Sequence, residues 1–290
     1  MSLFPIRPLF VLLAALLLTA CRVSIHVGDN PSPDDPSNPS TPDHYVPPAT
    51  VRWQLQLQGT AQLTSGVALY ELDLFDTPDS TIRAIHTRGA RLLCYFSAGT
   101  LETWRADAGT VPDSVRGAAV DGWPNEYWLD IRASAVRDLM RRRLDRAQAR
   151  GCDGVDPDNV DGYLQNSGFT LTAADQLDFN RFLAREAHAR GLSIALKNNL
   201  NQASTLVSSF DLAINEQCHA FQECDLLQPF VRAGKAVLNI EYADKFVQDA
   251  ASRQQLCDEA KQEGLSTQVL TTALDGTVRL RCDQGNAIVP

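Results

Sequence analysis

Between residues 53 and 271 the chain alternates short apolar runs with longer stretches in which apolar positions recur every three to four residues. The short runs read as strands at 53–58, 67–74, 92–97, 154–158, 193–197, 212–217, 236–242 and 267–271. Between them lie helix-like stretches at 80–88, 135–150, 173–190, 202–210, 226–233 and 246–263. Several are followed by glycine, at 89, 151, 191, 234 and 264, as expected where a helix ends in a left-handed residue. In 135–150, Val136, Leu139, Met140, Leu144 and Ala147 share one face while arginines take the other, so one side is predicted to pack on a sheet. Strand followed by helix, repeated over eight strands, predicts an α/β fold, a (β/α)8 TIM barrel. Its first unit is irregular, because the connection 59–66 is too short for a helix. No Gly-x-Gly-x-x-Gly follows the first strand, so a dinucleotide-binding sheet lacks its fingerprint.

The start of the chain follows another logic. The apolar run at 8–20 is too short to cross a bilayer comfortably and suits the core of an export signal. It ends in Leu18-Thr19-Ala20-Cys21, which resembles a bacterial lipobox, in which Cys21 becomes the lipidated N-terminus. Secretion after cleavage nearby is the alternative. Arg22 stands where inner-membrane retention commonly uses Asp, which points to an outer-membrane or cell-surface anchor. Prolines at 31, 33, 36, 39, 42, 47 and 48, set among Ser, Asp and Asn, read as an extended tether that cannot bury enough apolar surface to fold. The expected organisation is a signal peptide at 1–20, a tether at 21–50 and a monomeric barrel at 51–290.

Of the 7 cysteines, Cys21 is set aside and an even number remains in an exported chain, so disulfides are expected. One set pairs Cys218 with Cys224, Cys257 with Cys282 and Cys94 with Cys152, among the 15 pairings that six cysteines allow. Metal binding is less well supported, since there is no Cys-x-x-Cys pair. An EF-hand starting at Asp156 fails on spacing, with Val160 and Ser167 where oxygen ligands are needed. No Gly-x-Ser-x-Gly nucleophile elbow occurs. The net charge of −9 argues against a nucleic-acid partner and suits a cationic one.

Chemistry is expected where a barrel gathers the carboxyl ends of its strands. Those ends carry Glu71 and Asp73, Ser97, Asp156 and Asp158, Lys197-Asn198-Asn199, Asn215-Glu216-Gln217, and Glu241-Tyr242. In the fourth strand Asp156 and Asp158 point to one side, and Pro157 marks the place where the sheet stops. A carboxyl on each of two non-adjacent strands is what glycoside cleavage needs. Trp104, Trp123, Tyr127 and Trp128 fall in the long connection after the third strand, either as a local core or as a wall on which sugar rings pack.

Six blocks carry a resemblance: Cys94-Tyr-Phe-Ser-Ala-Gly99, Trp123-Pro-Asn-Glu-Tyr-Trp-Leu-Asp-Ile-Arg132, Gly151-Cys-Asp-Gly-Val-Asp-Pro-Asp-Asn-Val-Asp-Gly-Tyr163, Ala187-His-Ala-Arg-Gly-Leu192, Leu196-Lys-Asn-Asn199 and Asn215-Glu-Gln-Cys218. Together they resemble glycoside hydrolase family 114, the endo-α-1,4-polygalactosaminidases. The resemblance implies a barrel that hydrolyses α-1,4-linked galactosamine polymers, partly de-N-acetylated, with a catalytic pair at Asp158 and Glu216 and no cofactor. Asp156 stands in place of a more usual Glu. Asp73, Asp156, Asp161 and Glu241 are then candidates to hold protonated amines of the substrate, with Tyr95, Lys197, Asn198, Trp104, Trp123 and Trp128 lining the same mouth. Lys197 is expected to keep one acid ionised. A sugar-binding barrel without turnover, and a metal-dependent hydrolase using Asp156, Asp158 and Asp161, are the alternatives.

Overall fold

The computed structural model describes residues 43–282. The expected export signal, Cys21 and the tether as far as residue 42 lie outside the described residues. No described helix is long and apolar enough to cross a membrane.

The barrel opens with β1 (Trp53–Leu55), β2 (Leu69–Asp73), α1 (Asp79–Thr87) and β3 (Arg91–Ser97). The connection that follows builds a small antiparallel sheet of its own from β4 (Thr100–Glu102), β5 (Arg116–Ala119) and β6 (Glu126–Leu129). The alternation resumes with α2 (Ser134–Arg150), β7 (Gly154–Asp158), α3 (Ala173–His188), β8 (Ser193–Lys197), α4 (Ala203–Leu206) and β9 (Leu212–Glu216). Next come the short α5 (Cys218–Phe221) and α6 (Gln228–Arg232), then β10 (Ala236–Glu241), α7 (Asp244–Gln248), α8 (Ala250–Glu263), β11 (Ser266–Leu270) and β12 (Arg279–Arg281). Each of the eight expected strands is present, several a residue or more shorter at an end.

The main sheet runs β1-β2-β3-β7-β8-β9-β10-β11-β12, and all of it is parallel except β12, which lies antiparallel to β11. Its two ends are drawn together at a seam. There Trp53 Nε1 donates to the Ser266 carbonyl at 3.1 Å, Gln268 Nε2 to the Trp53 carbonyl at 3.0 Å, and Leu57 N to the Leu274 carbonyl at 2.9 Å. This curls the sheet into a TIM-type α/β barrel, with the irregular first unit that the sequence predicts.

Strand alternation divides the apolar residues between two cores. Inside the barrel lie Trp53, Leu69, Leu93, Ala195, Leu212, Ile214, Leu238 and Ile240. Their neighbours Tyr70, Leu72, Leu92, Phe96, Val155, Leu196 and Val237 face outward under the helices. Helix α2 supplies Val136, Leu139, Met140, Leu144 and Ala147 to that outer core, as its periodicity requires. It also buries an arginine: Arg143 donates to the Ser97 carbonyl and pairs with Asp107 at 2.9 Å, tying the helix to the insertion after β3. A left-handed Gly151 ends α2, and a Thr172–Asp175 capping box starts α3.

The three disulfides are Cys94–Cys152, Cys218–Cys224 and Cys257–Cys282, the set singled out from sequence. The end of the expected tether differs. Residues 43–50 rest on the lower rim, where Pro48 bridges Lys235 and His44 and His188 stack at 4.5 Å while bonding the same carboxylate, Asp211. Two ring donors on one acid hold this short segment in place, which composition alone does not reveal.

Candidate active site

Three strands end in the same way. Asp158, Lys197 and Glu216 are the last residues of β7, β8 and β9, and the residues after them, Asn159, Asn198 and Gln217, are left-handed, with φ of 60°, 47° and 66°. Positive φ is uncommon outside glycine and turns the chain sharply. Each strand thus stops at its polar side chain and leaves it at the rim. Gly99 makes room for this: a Cβ there would lie 1.7 Å from the Asn159 carbonyl oxygen.

Lys197 joins the acids. Its Nζ lies 3.2 Å from Asp158 Oδ1, 3.4 Å from Glu216 Oε2 and 3.9 Å from Asp156 Oδ2. Asp158 Oδ1 and Glu216 Oε2, the oxygens that face the ammonium, are therefore no farther apart than those first two distances laid end to end, about 6.6 Å. Asp158 also accepts from Tyr95 OH at 3.0 Å and from Asn159 N at 2.7 Å. Glu216 accepts from Tyr242 OH at 2.6 Å and Asn198 Nδ2 at 3.1 Å. Burial alone raises the Glu216 pKa, but the Lys197 charge and the bonds from Tyr242 and Asn198 outweigh it and hold the carboxyl below its usual range. Burial likewise opposes a charge on Lys197, yet Asp158, Glu216 and Asp156 together keep the ammonium well above its usual pKa.

Asp156 points inward as expected but lies one layer below the rim, fully buried, against Glu71 of β2. Burial pushes it up to about 6, against the pull of Lys197. Glu71 rises well above the usual range, through burial first and then the charge and hydrogen bond of Asp156. Asp156 is thus part of the floor, and Lys197 supplies the positive charge between it and Asp158.

The pair opens into a cleft of about 650 Å³ lined by Asp73, Tyr95, Trp104, Trp123, Trp128, Asp161, Lys197 and Asn198 from the expected set. Trp104 and Trp123 are more than half exposed, whereas Trp128 is packed. Asp161 accepts from Gln165 at 3.1 Å. Asp73 reaches the cleft already paired, at 2.6 Å from Arg105, which also holds Glu102 at 2.8 Å and Asp76 at 3.0 Å. The side chain expected to hold a substrate amine there is thus held by a guanidinium of the protein.

Glu241 is not brought to the cleft. Ala236, Leu238 and Ile240 point into the barrel, so residue 241 faces outward by strand alternation. It is buried beside His219, 3.3 Å from the imidazole, and accepts from the His219 backbone N–H. Tyr242, one residue on, is the inward-facing group. Arg105, Glu102, Asn159 and Glu126, none of them a site candidate from sequence, also line the cleft.

A family model for glycoside-hydrolase family GH114 matches residues 35–286. Aspergillus fumigatus Ega3, solved in complex with galactosamine, is 39% identical and superposes with a TM-score of 0.75, covering 80% of this chain and 95% of that one. The glycoside hydrolase domain of PelA from Pseudomonas aeruginosa has a TM-score of 0.60 at 16% identity, covering 79% and 96%, and so shares the fold. An uncharacterized protein of Deinococcus radiodurans is 26% identical over 307 residues, 91% of this chain and 97% of that one. The chain belongs to family GH114 and is a glycoside hydrolase.

Proposed function

We propose that this GH114 member cleaves α-1,4-linked, galactosamine-containing polysaccharide within the chain, using Asp158 and Glu216 as its carboxyl pair. The observation that carries the reading is the shared ammonium: one Lys197 holds both acids within hydrogen-bonding reach at the bottom of a cleft. Ega3, with 39% identity, binds galactosamine, which supports an amino sugar as the unit recognised. Exposed Trp104 and Trp123 offer flat apolar faces for sugar rings.

A carboxyl separation of roughly 5 to 5.5 Å accompanies retention, and about 6.5 to 9.5 Å accompanies inversion. The ceiling of about 6.6 Å set by Lys197 favours retention. Asp158, gripped by the adjacent backbone N–H and by Tyr95, is oriented as the nucleophile. Glu216, longer and more exposed at the rim, then gives a proton to the leaving oxygen and takes one from the water that releases the glycosyl intermediate. Because Lys197 keeps most of Glu216 ionised in the free enzyme, the proton given to the leaving oxygen is first taken up from solvent, and the one drawn from the attacking water returns there.

The export leader and the lipobox at Cys21 support attachment to an outer membrane or cell surface, with the barrel acting outside the cell on a cationic polymer.

The test is end-group release from galactosamine polymer by the wild type, Asp158→Asn and Glu216→Gln. Each variant is expected to lose about 10³-fold or more. On an aryl glycoside whose leaving group needs no proton, Glu216→Gln is expected to retain glycosylation while Asp158→Asn does not. Near wild-type turnover by either variant on the polymer removes that residue from the pair, and sugar binding without any turnover by the wild type makes the protein a lectin-like barrel.

A further inference from the structure

The cleft does not balance its charges. Two cations line it, and both are committed: Lys197 to Asp158 and Glu216, and Arg105 to Asp73, Glu102 and Asp76. Among the described lining residues, Asp121, Glu126 and Asp161 are carboxylates with no ion-pair partner. Asp121 is exposed and solvated, and Asp161 is capped by Gln165. Glu126 is the one that is nearly buried, at 6% exposure.

Its position is fixed. Oε1 accepts from Thr100 Oγ1 and, at 3.4 Å, from Asn159 Nδ2. The backbone N–H of the same Asn159 bonds Asp158 Oδ1 at 2.7 Å. Glu126 therefore stands one side chain away from the proposed nucleophile, in the wall formed by β4 and β6. A carboxylate withdrawn from water and left without a cation is unfavourable until a positive group arrives.

Resting on the galactosamine reading above, we propose that Glu126 receives the protonated amine of the sugar unit bound beside Asp158, and that this contact selects de-N-acetylated stretches of the polymer. An N-acetyl group at the same place brings no charge and adds bulk. The other charged groups facing Glu126 are Glu102 across the β4–β6 ladder, Asp158 at the end of β7, and Arg105. Burial, opposed by the Thr100 bond, and then the charges of Glu102 and Asp158 push it up to about 6. Below that pH the acid is increasingly neutral and its hold on an ammonium weakens.

Calorimetric titration of wild type and Glu126→Gln with galactosamine and with N-acetylgalactosamine tests this, together with KM on partly deacetylated and fully acetylated polymer. The amide keeps the shape and still accepts from Thr100. Expected is a loss of about tenfold or more for galactosamine and the deacetylated polymer, against about twofold or less for the acetylated ligands. Wild-type affinity for galactosamine should also fall as the pH drops through 6, and fall by clearly less in the variant, which keeps Asp156 and Asp161 but lacks this acid. Glu126→Asp keeps the charge and should keep the preference, so a folding defect in the amide variant does not obscure the result. Equal losses for both ligands, or unchanged galactosamine affinity in Glu126→Gln, overturn the proposal. Monosaccharide binding is read without turnover, so absence of polymer cleavage would defeat the proposed activity and leave this measurement to decide Glu126 separately.

Discussion

Glu71 on β2 and Asp156 on β7 meet inside the barrel with no exposed surface, and none of their four carboxyl oxygens finds another donor. Two buried acids in contact share a proton, because both charges together would be repulsive and unsolvated. Lys197 is 3.9 Å from Asp156 and draws the negative charge to that member, leaving the proton on Glu71.

The stability consequence has a definite sign. Both acids have folded pKa values above their unfolded ones, so the stability they contribute is complete below about pH 4 and is lost as the pH rises, for Asp156 up to about 6 and for Glu71 beyond that. Glu71→Gln replaces the shared proton with a permanent donor to Asp156. At pH 7.5 the variant should melt about 2–4 °C higher than wild type, the shift that roughly 1 kcal/mol produces in a chain of this size. At pH 4 the two melting curves should converge. Calorimetry across that range checks it, and a constant difference at all pH values would mean that no proton is shared.

Lys197 is the group on which the acids depend. Lys197→Met keeps the stem and removes the charge, leaving Asp158, Glu216 and Asp156 to repel one another. Breaking a buried pair by removing one partner costs about 3–5 kcal/mol, so a large drop in melting temperature is expected at neutral pH and a smaller one in acid, where the carboxyls take up protons. The alkaline limb of the kcat/KM profile, which the general acid sets, should move to higher pH, because Glu216 loses the charge that keeps it low. An unmoved limb would show that the lysine acts only in packing.

Tyr242 offers a finer probe of the same acid. Its phenol donates to Glu216 Oε1 at 2.6 Å, and this bond lowers the Glu216 pKa. Tyr242→Phe retains the ring and loses one charge-assisted bond, worth about 1.5–3 kcal/mol. Turnover should fall about tenfold, and the alkaline limb should shift upward by less than in Lys197→Met. Loss of activity without any shift would assign the phenol to substrate contact instead.

Elements long enough to show a period were legible in the sequence. The strands ending in Asp158, Lys197 and Glu216 stand where the apolar runs put them, and their inward-facing last residues converge as alternation requires. Alternation also separates Glu241 from Tyr242: carrying the parity of Leu238 and Ile240 one step further selects the tyrosine. The wall after β3 was hidden because β4, β5 and β6 span three or four residues each, too few for a two-residue period to stand out. With that sheet went Glu126, which reads as a surface acid in Trp-Pro-Asn-Glu until its strand turns it toward Thr100. Asp73 was legible as a rim acid, but its partner Arg105 lies 32 residues on in a segment whose path no local pattern sets.

The disulfides give the last test. In the chain-entropy account a crosslink stabilises by restricting the unfolded chain, and by more for a longer loop. Sequence separations of 58, 25 and 6 for Cys94–Cys152, Cys257–Cys282 and Cys218–Cys224 correspond to about 4, 3.5 and 2 kcal/mol. Replacing both cysteines of each pair by alanine should lower the denaturation midpoint in that order. Cys218–Cys224 should break the ranking in one respect only. Cys218 N bonds Asn215 Oδ1 at 3.1 Å, and Asn215 Nδ2 bonds Asn198 at 3.2 Å, next to Glu216. Loosening this shortest loop is therefore expected to cost the least stability and to reduce turnover the most, measured as kcat at a temperature where all three variants remain folded. Equal activity across the three would sever the loop from the positioning of Glu216.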